Sequence, residues 1–104
     1  MKHTSKPGYI IRFTATPEGA DEFATLLQRL LEHVNAEQGT TTWFAARSEE
    51  QPETFFISDV FTDGDARQAH FTGDAAKLLL AEAGPLLAGQ PDVQPVATLA
   101  TKNV

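Results

Sequence analysis

Apolar positions along this chain repeat with two different periods, and each change of period marks an element. Over residues 8–15, Tyr9, Ile11 and Phe13 fall on one side and Ile10 and Arg12 on the other, which predicts a first strand. Thr16-Pro17-Glu18 then offers an N-cap, a proline at the first helical position and an acid near the positive end of a helix dipole. Phe23, Leu27, Leu30 and Val34 follow at helical spacing, with Ala20, Leu26 and Leu31 widening the stripe. Glu22, Arg29, Glu32 and Glu37 lie away from that stripe, and Gly39 is placed to end the helix as a left-handed C-cap.

Residues 40–48, with Trp43 and Phe44, and Thr54–Phe61 read as two aromatic strands joined by the polar turn Glu49-Glu50-Gln51-Pro52-Glu53, hence a hairpin. Thr62-Asp63-Gly64-Asp65 caps a second helical region carrying Ala66, Ala69 and His70. Thr72-Gly73-Asp74 interrupts it, Ala75, Leu78, Leu79 and Glu82 resume it, and Leu86-Leu87 make a last turn after Gly84-Pro85. Residues 91–100 form a final strand, with Pro91 and Pro95 marking its start or a partly unpaired stretch, because proline cannot donate to a ladder. The order β-α-β-β-α-β is an α+β, ferredoxin-like split βαβ arrangement, an antiparallel four-stranded sheet with both helices on one face.

That topology leaves the other face of the sheet without a layer. Yet the third strand is apolar on both sides, with Phe55, Ile57 and Phe61 pointing one way and Phe56 and Val60 the other. An identical sheet from a second copy is the economical cover, so a homodimer is expected. A chain of 104 residues has room for one domain, assigned to residues 8–104 after a flexible tail over residues 1–7.

Eight basic against fourteen acidic residues, a net charge of −6, argue against nucleic acid and anionic lipid as partners. No apolar run approaches the roughly 20 residues of a membrane span. The start of the chain has charge but no apolar core, so it does not read as a signal peptide. Cysteine is absent, which removes disulfides and thiolate chemistry and fits a reducing, cytoplasmic setting.

Trp43-Phe44-Ala45-Ala46-Arg47, then Phe55-Phe56-Ile57-Ser58-Asp59-Val60-Phe61, then Asp65-Ala66-Arg67-Gln68-Ala69-His70 with Gly73, resemble the antibiotic biosynthesis monooxygenase family. The likeness in element order extends from Tyr9 to Lys102. It implies a dimeric α+β barrel of two facing sheets, with a pocket between sheet and helices in each protomer. It also implies an oxygenase that oxidises small phenolic, quinol or polyketide-like compounds with no metal, flavin or other cofactor, or a relative without activity. The haem-degrading branch of such proteins resembles a trio of asparagine on the first strand, tryptophan on the third and histidine on the second helix. Here only His70 corresponds, so haem is not expected.

His70 is the candidate catalytic base, since an imidazole titrates near neutral pH and can take a phenolic proton. The alternative is a helix-edge histidine bonded to a carbonyl. Trp43, Phe44 and Phe56 are candidates to cradle a ring, or are simply core and interface. Asp59 and Arg47 face one another on adjoining strands if Asp59 pairs near Ala45. They then form a cross-strand ion pair, or together with Arg12 place a polar group of the substrate. Asp63, Asp65 and Asp74 read as helix-capping residues rather than a cation site. His3 falls in the tail and His33 borders the seam of the first helix. Widely separated histidines without cysteine support no metal site.

Overall fold

A computed structural model describes residues 5–102; His3 and most of the expected tail lie outside the described residues. The elements are β1 (Pro7–Thr14), α1 (Ala20–Asn35), β2 (Thr40–Arg47), β3 (Thr54–Phe61), α2 (Gly64–Phe71), α3 (Asp74–Glu82) and β4 (Asp92–Ala97). A single 3-10 turn, Gly84–Leu86, joins α3 to β4. The sheet runs β2-β3-β1-β4 with every pair antiparallel, which is the ferredoxin-like order the periodicity predicts. No helix among the described residues is long and apolar enough to cross a membrane.

Strand parity sorts the side chains. Ile11 stands opposite Ile57 and Phe13 opposite Phe55, and these four lie in one buried cluster with Phe23, Leu26, Leu27 and Leu30 of α1. Phe23 is fully buried and its ring lies 5.2 Å from that of Phe13 and 5.0 Å from that of Phe55. These tilted and edge-on contacts lock α1 onto the centre of the sheet. The opposite face carries Ile10, Arg12, Phe44, Phe56, Val60 and Val96, alternating with the core positions. On it Ile10 is 49% and Phe44 53% exposed while Val60 is buried, so this side presents large apolar groups that no helix among the described residues covers.

Several local expectations need correction. Thr16 does not cap α1: its hydroxyl accepts from the Gly19 amide at 2.9 Å and closes a turn, and the helix starts afterwards with Gly19 as N-cap. Gly39 is not a left-handed cap either, since α1 ends at Asn35 and the one positive-φ glycine among the described residues is Gly89. Gly39 is needed for close approach, because a Cβ there would sit 2.4 Å from the Ala66 side chain of α2. Leu31 falls just outside the buried stripe and is exposed. β4 is shorter than residues 91–100, and Pro95 sits within it opposite Tyr9, tolerated because β4 is an edge strand.

Phe23→Ala removes the ring that bridges the two central strands. It is expected to lower unfolding stability by about 3–5 kcal/mol, read as a drop in the urea midpoint.

Candidate functional site

Three distant segments converge on one imidazole. α2 starts cleanly because the Asp63 side chain accepts from the Ala66 amide at 2.8 Å, and the close approach at Gly39 seats the helix near the start of β2. His70, one position before the end of α2, thereby reaches over β3 and its side chain is only 12% exposed. Its Nδ1 lies 2.7 Å from Oε1 of Glu37, in the connection between α1 and β2. The Thr40 hydroxyl donates to the same Oε1 at 2.6 Å. On the other side, Nε2 lies 3.6 Å from Oδ2 of Asp59.

Asp59 is the buried charged residue of the core, 1% exposed. Its Oδ1 accepts from the Tyr9 amide at 3.0 Å, whereas among the described residues Oδ2 has no hydrogen-bond partner, and neither has Oε2 of Glu37. Burial pushes the Asp59 carboxyl up to about 6. The positive field of His70 and the Tyr9 amide oppose that rise, and the Glu37 carboxylate adds to it. With Glu37 ionised, Nδ1 of His70 must be the donor, so Nε2 carries either the lone pair or a proton directed at Asp59. Glu37 and Asp59 flank opposite edges of the ring. Among the described residues no group of three His, Asp or Glu is arranged to hold a metal ion.

Beside this cluster, between sheet and helices, lies an apolar cavity of about 180 Å³. Tyr9 and Ile11 of β1, Trp43 of β2 and Ile57 of β3 form its floor, and Phe71, Ala75, Ala76 and Leu79 of α2 and α3 form its roof. His70 stands in its wall, and Phe13, Leu30, Leu80, Pro91 and Val93 complete the lining. A cavity of roughly 150 Å³ accommodates benzene, so one aromatic ring fits. Two larger, more open grooves run along the edge strand β2, of about 390 and 440 Å³, and neither is lined by His70.

The sequence-derived candidates divide accordingly. His70 and Trp43 line the cavity, and Asp59 lies against His70 on the same face of the sheet. Phe44, Phe56 and Arg12 stand on the opposite, helix-free face. Arg47 does not pair with Asp59, because β2 and β3 are in a register that sets Asp59 opposite Trp43 and Arg47 opposite Phe55. Its guanidinium instead bonds Asp21 at 3.0 Å and the Pro52 carbonyl at 2.6 Å, at the hairpin end of the sheet. Asp63 is a cap as expected, and Asp65 and Asp74 occupy the first turns of α2 and α3.

Glu37 and Tyr9 were missed as site residues. Glu37 looks like a solvent-facing position of α1, but the helix stops before it and the loop turns its carboxylate inward. Nothing local in the sequence signals a partner 33 residues away.

The raised Asp59 carboxyl has a consequence for stability. A carboxyl held above its unfolded value of about 3.9 binds its proton more tightly when folded. Its contribution is therefore complete below pH 4 and is lost as pH rises through about 6. Asp59→Asn keeps an acceptor for the Tyr9 amide and does not titrate. Native stability relative to this variant is expected to fall by a few kcal/mol (order of magnitude) between pH 4 and pH 7, measured by urea unfolding across that range. A pH-independent difference would contradict the burial argument.

The family model of antibiotic biosynthesis monooxygenases matches residues 8–81. Among solved structures, a protein of unknown function from Nitrosomonas europaea is 39% identical, with a TM-score of 0.88 over 97% of this chain and 96% of that one. Rv0793 from Mycobacterium tuberculosis is 21% identical, with a TM-score of 0.84 over 93% of this chain and 98% of that one. A candidate antibiotic biosynthesis monooxygenase from Caulobacter crescentus is 22% identical, with a TM-score of 0.84 over 93% and 92%. No curated protein gave a match. Since the family model spans most of the 104 residues and takes in the cavity floor, Glu37, Asp59 and His70, the chain belongs to the antibiotic biosynthesis monooxygenase family.

Proposed function

We propose that the protein is a cofactor-independent monooxygenase of a small aromatic hydroxy compound, with His70 as the base. The observation that carries this reading is a ring-sized apolar cavity with one imidazole in its wall, oriented by carboxylates on both edges. Glu37 holds the Nδ1 proton and so directs basicity to Nε2, acting as a positioning residue. Removal of a hydroxyl proton leaves an electron-rich ring anion able to transfer electrons to dioxygen. For a hydroquinone the balance closes without a reductant: one oxygen atom enters the ring, the other leaves as water, and a hydroxyquinone remains. The substrate supplies all four electrons. The apolar walls keep bulk water from the anion.

A second reading, a non-catalytic ligand-binding or dimerisation module, draws support from the same histidine, both of whose nitrogens already face protein carboxylates. Oxygen consumption with a panel of hydroquinones and anthrones separates the two. His70→Ala is expected to lower kcat by about 10²–10⁴-fold, and Glu37→Gln to displace the pH profile of kcat. Unchanged turnover in His70→Ala removes the base from the mechanism, and no oxygen uptake with any compound favours the module.

The uncovered sheet face supports a homodimer in which two such faces pack together as a barrel, hiding Ile10, Phe44, Phe56 and Val96 from water. Light scattering at micromolar concentration is expected to give twice the chain mass, and a monodisperse species of 11.3 kDa would contradict it.

A further inference from the structure

Trp43 borders more than one empty space. Its position on β2 stands opposite Asp59, which in turn stands opposite Tyr9 of β1, so the three form one row across the sheet on the side facing the helices. The indole is partly buried against the core. It lines the cavity beside His70, and among the described residues it is the one member of that lining that also borders both open grooves along β2.

Small side chains make the space on either side of it. The next position of the same parity on β2 is Ala45, and Ala24 of α1 lines the same groove. Their methyl groups do not fill the gap between helix and edge strand, and a groove of about 390 Å³ results, walled by Leu27 and Leu31. It continues to Arg47, four residues further along the strand, roughly 13 Å from Trp43. On the other side of the indole, Ala75 and Ala76 of α3 leave the cavity of about 180 Å³ beneath the roof. A single indole therefore stands between two apolar spaces that would otherwise run together. With it in place, the cavity has room for one ring and little more.

We infer that Trp43 is a specificity-determining residue that sets the length of compound the cavity accepts, its indole closing a channel that would run from His70 into the groove between α1 and β2. The inference rests on the reading of this cavity as the ligand site and not on the chemistry at His70. A substituent directed from a bound ring toward β2 meets the indole after a few carbons, and further growth unseats the ring. Removal of the indole opens that path. Each added methylene then passes into apolar surroundings, a gain of about fourfold in affinity.

The probes are 4-n-alkylphenols with zero to six chain carbons, and their affinities for the native protein, Trp43→Ala and Leu79→Ala are measured by anaerobic calorimetry. Leu79→Ala enlarges the cavity on its roof side without touching either groove, and so controls for added volume alone. In the native protein, affinity is expected to rise over the first one or two carbons and then to level off or fall. In Trp43→Ala the rise is expected to continue to the hexyl compound, which binds about tenfold or more tightly than it binds the native protein. The same compound is expected to shift the methyl resonances of Ala24 and Ala45 in that variant. In Leu79→Ala the levelling-off remains and those two methyls do not move. If Trp43→Ala does not fold, Trp43→Leu reads a smaller extension in the same direction. A native affinity that climbs through the hexyl compound, a levelling-off unchanged in the folded Trp43 variant, or an equal extension in Leu79→Ala overturns the inference and leaves the cavity as the ligand site. No binding of any member of the series by the native protein overturns both. Because the series is read without oxygen, absence of oxygen uptake in air sinks the oxygenase reading and leaves the length limit standing.

Discussion

Successive residues of a strand must point to opposite faces, and most of this protein's organisation follows from that constraint. Parity commits Tyr9, Ile11 and Phe13, with Phe55, Ile57, Asp59 and Phe61, to the side that α1 covers. The same rule commits Ile10, Arg12, Phe56 and Val60 to the helix-free side, where Ile10 is half exposed and Val60 is buried. The core is then fixed by an aromatic stack, Phe13 against Phe23 against Phe55, which sets how far α1 stands from the sheet. α2 and α3 roof the neighbouring part of that surface less tightly, with Ala75 as their one buried residue. The space they leave is the cavity.

Within that frame one position breaks the apolar rule. Asp59 occupies a core site where Phe55, Ile57 and Phe61 are the neighbours of matching parity, and its burial is unfavourable for the charged form. The fold offsets this only in part, through the Tyr9 amide and the nearby imidazole, and leaves one oxygen unbonded. A buried acid that is incompletely satisfied, beside a histidine whose other edge is clamped at 2.7 Å, is a costly arrangement for packing alone. It is the kind of local conflict that functional sites keep. Membership of the monooxygenase family is consistent with that position, while the charge balance of the cluster is a property of this chain's own residues.

The helix-free face raises a different energetic issue. Ile10 and Phe44 remain about half exposed on it. Arg12 and Phe56, on that same side, are separated from the cavity by the thickness of the sheet. Their chemistry therefore belongs to whatever covers that face and not to the ring-sized site.

The sequence alone determined the element order and the alternation of faces along the first and third strands, because periodicity is a local property. Alternation alone sets Asp59 on the side of Phe55, Ile57 and Phe61, and a register error of two residues preserves that side. The same error gave Asp59 the wrong partner: hairpin register is set by how the Ser48–Glu53 connection closes, through the Ser48 amide on the Thr54 carbonyl and the Thr54 amide on Gln51. Only the tertiary structure could bring Glu37 to His70. That contact depends on where α1 stops and on how closely Gly39 lets α2 approach, and both are outcomes of packing between segments far apart in the chain.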